Sequence, residues 1–166
     1  LVILLTSHKN KLEYLKSKKA VTAVTDIETE RDSINKKMIA AFNANITFCK
    51  IVYAYDYLLP ELVAGNTKSM ALDDNLNPTD MPNGVLPTLF LRKDELNSGL
   101  SAFIFLDPRG QNMQRPFPYY VKVNSLLKVI TSIIPSKDGV ARDFSKTAKK
   151  MEKNLTKYYK KNVAAN

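Results

Sequence analysis

Val140, Phe144, Ala148, Met151, Leu155 and Tyr158 or Tyr159 recur at three- and four-residue intervals through the last thirty residues of this 166-residue chain. Apolar residues so spaced line one face of an α-helix, so residues 137–166 are constrained to form a helix with a narrow greasy stripe. The other faces are basic: the same residues hold nine Lys and Arg against three Asp and Glu, a surplus of six within the whole chain's formal +9. The stripe predicts docking through Phe144, Met151 and Leu155, with the lysines left to solvent or to an acidic partner.

Other helical signals lie upstream. Residues 9–23 mix bases with Leu12, Leu15 and Val21 and predict a short helix. Thr25 and Asp26 then offer N-cap side chains. From there Ile27, Ile34, Met38, Ala41, Phe42, Ile46, Cys49, Tyr53 and Tyr57 keep helical spacing as far as Pro60, which predicts one long helix whose second half is buried. Asp26, Glu28, Glu30 and Asp32 fit as acids near its start, with Asp32 pairing Lys36 one turn on.

Residues 65–87 carry Gly65-Asn66, Asp73-Asp74-Asn75, Asn77-Pro78, Pro82-Asn83-Gly84 and Pro87, and predict a long loop suited to contacting partners. Residues 86–91 and 101–106 follow as β-like runs joined by a hairpin connection, and Asp107-Pro108-Arg109-Gly110 has the composition of a type I turn. Tyr119 to Val123 alternates as a third strand. Asn124 or Ser125 caps a further expected helix through Ile134, ended by Pro135. The expected fold is therefore α+β: a long N-terminal helix, a small antiparallel β meander and two C-terminal helices. Its expected organisation is a basic N-terminal arm over residues 1–24, a core domain over 25–136, and the basic helix over 137–166.

The start of the chain, Leu1-Val2-Ile3-Leu4-Leu5, is apolar and is followed by Lys9, Lys11, Lys16, Lys18 and Lys19. Five residues fall far short of the roughly 20 that cross a bilayer. The run fits a short strand or the end of a membrane anchor whose following bases face the cytoplasm. Cys49 is the single cysteine, so no disulfide forms within one chain, and a reducing compartment is favoured. Its apolar neighbours make it a core residue.

Chemistry-bearing constellations are sparse. Asp73-Asp74-Asn75-Leu76-Asn77 begins like a calcium loop, but the sixth and twelfth positions hold Pro78 and Gly84 where such a loop needs Gly and Glu. An Asx-rich turn explains it better. His8 is the sole histidine, so one chain has no multi-histidine metal site. Phosphate-loop, dinucleotide and nucleophile-elbow patterns are absent, and neither a cofactor nor a small-molecule substrate is inferred.

What stands out is charge with aromatic interleaving. Arg109, Arg115, Tyr119 and Tyr120 form one cluster by sequence, and Lys149, Lys150, Lys153, Lys157, Lys160 and Lys161 form the basic end. Such residues suit other protein subunits, nucleic acid or an anionic membrane surface. For a membrane surface the stripe is poor, because alanine and tyrosine occupy places where Trp, Phe or Leu would be expected. The function expected from the sequence is a non-catalytic structural or assembly component of a larger complex. Its alternative is a nucleic-acid-binding module that uses the C-terminal lysines.

Overall fold

The computed structural model describes residues 1–82, 89–95, 101–123 and 137–162. Its centre is a strand, β1 (Val2–Leu5), all four of whose residues are buried. Parallel partners flank it on both sides: β2 (Val52–Tyr55), with Val2 opposite Val52, and β5 (Phe90–Glu95), with Val2 opposite Phe90. A strand covered on both faces has no polar side to show, which is why Val-Ile-Leu-Leu is apolar without alternation.

Between β1 and β2 the chain forms α1 (Lys9–Ser17) and α2 (Val21–Asn43). After β2 come a 3-10 turn (Asp56–Leu58), α3 (Leu59–Val63), and two short strands, β3 (Ala71–Leu72) and β4 (Pro78–Thr79). On the other side β5, β6 (Ser101–Leu106) and β7 (Tyr120–Lys122) run as an antiparallel meander, and α4 (Lys137–Asn162) closes the described chain. The sheet order is β4-β3-β2-β1-β5-β6-β7.

The α+β class holds, and so does the meander, but it is one half of a mixed seven-stranded sheet. The single long helix running to Pro60 is corrected. It is α2, which starts four residues before Thr25 and ends at Asn43, and the next apolar stretch is β2. Val52-Tyr53-Ala54-Tyr55 is rich in β-branched and aromatic residues and buried at its centre, and a short apolar run fits helix and buried strand equally by period. Thr25 caps nothing: its Oγ1 donates to the carbonyl of Val21 inside the helix. Asp32 pairs with Arg31 at 2.8 Å rather than with Lys36. The apolar start is the sheet's central strand rather than part of an arm, and the boundary expected at residue 24 falls within α2. Among the described residues no helix is long and apolar enough to cross a membrane. The helix expected after Asn124 lies outside the described residues.

Side chains divide between two faces by strand alternation. Ile3, Leu5, Tyr53, Leu91, Phe103, Phe105 and Val121 meet Met38, Ile39 and Phe42 of α2 and Phe144, Ala148, Met151 and Leu155 of α4. Val2, Leu4, Ala54, Phe90 and Leu106 gather on the opposite face with Leu62 of α3, Ala71 and Met81. The terminal helix therefore docks by the stripe read from its sequence.

One edge of α4 is also fastened to the α2–β2 connection. Glu152 accepts the backbone N–H groups of Thr47 and Phe48 and the Thr47 hydroxyl at 3.3, 3.2 and 2.8 Å, and Tyr159 meets the Phe48 ring edge-on. Cys49 lies half-buried beside these residues, where burial pushes its thiol up. Part of the expected loop is a small hairpin: Asp73 accepts N–H groups of Asn75 and Asn77 in the turn between β3 and β4. The bonds from Asn77 hold its carboxyl below the ordinary range. The Asx-turn reading of this segment is therefore the one the geometry gives.

Candidate anion-binding groove

The groove forms where β7 and the segment before it run beside α4. Sequence dictates its first wall. After β6, Asp107 accepts the Gly110 N–H, closing the expected turn, and the Phe105 carbonyl then accepts the Met113 N–H. The chain next presents Arg115-Pro116-Phe117-Pro118, whose prolines donate no hydrogen bond and so stay out of the ladder. Phe117 is the anchor: its ring lies 5.3 Å from Phe105 of β6 and 5.1 Å from Tyr158 of α4, edge-on to both. The segment is thereby held off the helix by one ring, with a trough on the outer side.

That trough is a cleft of about 690 Å³ lined by Arg115, Phe117, Tyr119, Tyr120, Lys122, Lys150 and Asn154, among others. Tyr119 and Tyr120 are half-exposed, with ring centroids 4.8 Å apart and planes tilted by 56°. Beyond Asn154 it continues as a hollow of about 250 Å³ between Pro116, Pro118 and Lys157, Tyr158 and Lys161. Helical phase supplies the second wall. At about 100° per residue, Lys150, Asn154, Lys157 and Lys161 fall on one edge of α4, beside the buried stripe. Glu152 and Tyr159 fall on the opposite edge, where they hold Thr47 and Phe48.

The charge is one-sided. Among the described residues the close ion pairs are Lys16 with Glu28, Arg31 with Asp32, Arg92 with Asp94 and Arg109 with Asp107. None involves Arg115, Lys122, Lys150, Lys157 or Lys161, so among the described residues these cations form no close ion pair.

The residues expected from sequence are thus divided. Arg115, Tyr119, Tyr120, Lys150, Lys157 and Lys161 come together in the groove. Lys153 and Lys160 lie on the outer flank of α4 with Thr156, continuous with it through Lys157 and Lys161. Lys149 is exposed on the helix surface. Arg109 leaves the cluster: its guanidinium bonds Asp107 at 3.0 and 3.1 Å, in the turn that packs by Gly110 on Val63 of α3. Lys122 and Asn154 were missed. Asn154 is one turn from Lys150, so its signal was present, whereas strand alternation puts Lys122 with Tyr120 on the sheet face opposite Val121, and only its place on the edge strand β7 brings it to the cleft.

A second concavity, of about 460 Å³, opens at the carboxyl ends of β1 and β2, a place where open sheets commonly bind ligands. Its floor is tied by hydrogen bonds centred on Asp56 and Ser7. Asp56 accepts both the N–H and the hydroxyl of Ser7, Arg31 and Asn35 donate to the carbonyls of Ser7 and Thr6, and Lys9 covers the ring of Tyr57 at 4.6 Å. This arrangement ties off the ends of the central strands. Asp56→Ala is expected to lower the unfolding free energy by about 1–3 kcal/mol, because Ser7, 6% exposed, keeps a donor pair with no acceptor. Urea unfolding measures it; a change below about 0.5 kcal/mol, the scale of an ordinary surface substitution, would show the tie to be ornamental.

Comparison with protein-family models, with curated proteins and with solved structures gives no match for this chain.

Proposed function

We propose that this protein is a non-catalytic component of a larger macromolecular assembly, which it joins by gripping an anionic partner in the groove between β7 and α4. The observation that carries this reading is the convergence of Arg115, Lys122, Lys150, Lys157 and Lys161 on one concavity with no acidic residue paired to them. Uncommitted cations around a trough raise the local potential and reward a ligand that brings its own negative charge. The second concavity offers a smaller cationic set, Lys9 and Lys11, of which Lys9 lies over the Tyr57 ring, and it holds the carboxylate of Asp56.

Net charge alone also attracts polyanions, and the test must separate the two. Lys150→Glu, Lys157→Glu and Lys161→Glu combined are expected to abolish retention on immobilised polyphosphate at moderate salt. The same number of reversals at Lys9, Lys11 and Lys18, which are exposed around α1, alters the total charge equally and is expected to leave most of the retention. Equal loss from both sets would mean that the groove contributes nothing beyond the overall charge.

A further inference from the structure

We infer that the anionic partner is a single-stranded nucleic acid, with its bases stacked on Tyr119 and Tyr120 and its phosphates along Lys150, Lys157 and Lys161. This rests on the groove being the binding surface and adds the chemical class of what it holds.

Three features of the groove ask for more than charge. The first is the tyrosine pair, half-exposed at 4.8 Å and lying beside the basic edge rather than in the core. Every nucleobase has a π-face, and exposed aromatic rings next to a cationic track are how sequence-tolerant single-strand binders hold bases. The second is Asn154, half-buried where the cleft meets the hollow, whose side-chain amide bonds no protein group among the described residues. It carries two donors and an acceptor, a set that matches the edge of a base. The third is linearity. Lys150, Lys157 and Lys161 lie along one helix edge at intervals of about 10 and 6 Å, so the positive charge forms a track rather than a point.

The competing partners fit less of this. An acidic peptide satisfies the lysines but gives the rings and the amide nothing they specifically need. A bilayer is flat, whereas the tyrosines sit in a concavity, and the outer flank beside it is Lys153, Thr156 and Lys160 rather than an insertable apolar surface. In a duplex the bases are already stacked inside, so the tyrosines would meet sugar and phosphate alone. A single strand presents phosphates and free base faces together.

The test measures binding of the full chain to fluorescent oligothymidylate of about twelve nucleotides, within the range of single-strand site sizes. Duplex of equal length, polyphosphate and polyglutamate serve as comparators. Oligothymidylate is expected to bind tightest. Tyr119→Leu with Tyr120→Leu is expected to weaken it by roughly ten-fold or more while leaving polyphosphate affinity unchanged, which also reports that the variant is folded. Tyr119→Phe with Tyr120→Phe keeps the rings and is expected to keep the affinity. Tighter binding of duplex or polyglutamate, or equal losses in the Leu and Phe pairs, overturns the single-strand assignment while the groove survives as an anion site. Failure of the unaltered protein to bind any of the four overturns both.

Discussion

Phe103→Ala is expected to lower the unfolding free energy by about 3–5 kcal/mol, the range for deleting a buried aromatic ring. Phe103 is fully buried on β6, between β5 and β7. Its ring centroid lies 5.4 Å from that of Phe42 on α2 and 6.3 Å from that of Phe144 on α4, so three elements meet on it. Truncation removes the transfer energy of the ring and both aromatic contacts. It also leaves a void that a sheet backbone paired on both sides cannot collapse to fill. Domains of this size are stable by only about 5–15 kcal/mol, so the variant should sit near the edge of folding at physiological temperature. Phe117→Ala, at the half-buried anchor of the proline segment, is expected to cost clearly less. Equilibrium urea unfolding of the two variants measures both. A Phe103→Ala loss under about 1 kcal/mol would contradict its place at the junction.

The second large effect concerns α4 as a wall. Met151→Lys is expected to weaken polyanion binding strongly even though it adds a positive charge. Met151 is fully buried among Phe144, Ala148 and Leu155. An ammonium there has no acid to meet and loses its hydration, at a cost of several kcal/mol, which the chain relieves by letting the helix lift from the sheet. Lys150, Asn154, Lys157 and Lys161 ride on that helix, so the groove loses one side as the stripe lets go. Thr156→Lys is the counterpart: it adds the same charge on the outer flank without touching the stripe, and binding should strengthen modestly. Titration against polyphosphate, with far-ultraviolet circular dichroism to follow folding, compares them. Were Met151→Lys to bind as tightly as Thr156→Lys, the wall geometry would be irrelevant and only the charge would count.

The C-terminal helix was legible because its signal is local: Phe144, Ala148, Met151 and Leu155 show their period within a dozen residues, and all four are buried as that period requires. The turn at Asp107 and β6 were legible for the same reason, whereas the first hairpin strand, expected over 86–91, is β5 (Phe90–Glu95) and takes in Arg92 to Glu95, whose charged side chains read as a connection. What the sequence hid is non-local. Nothing in Val2–Leu5 says that its neighbours are Val52 and Phe90, because strand pairing is decided by partners tens of residues away. Val52–Tyr55 was hidden differently: a strand covered on both sides carries no alternation, so it merged with the helical period before it. At the groove, Arg115, Tyr119, Tyr120 and the lysines stood out by type. Arg109 could be removed only by seeing its guanidinium turn back onto Asp107, a local ion pair that composition cannot distinguish from a free cation.

The position of β1 bears on how the chain comes into being. Emerging from a ribosome, Val2–Leu5 precedes both of its flanking strands, one of which arrives only near residue 90, and α4, which shares the cover of its Ile3 and Leu5 side with α2, follows only after residue 137. Until β5 is made, the most apolar strand of the sheet lacks a partner on that side, and until α4 is made the cover of its Ile3 and Leu5 side is incomplete, a state that invites pairing with other chains. Completion of the sheet and its cover therefore waits on segments far along the chain from β1, and the dependence on distant contacts makes it slow. A nascent chain stalled before α4 is the form most in need of a chaperone.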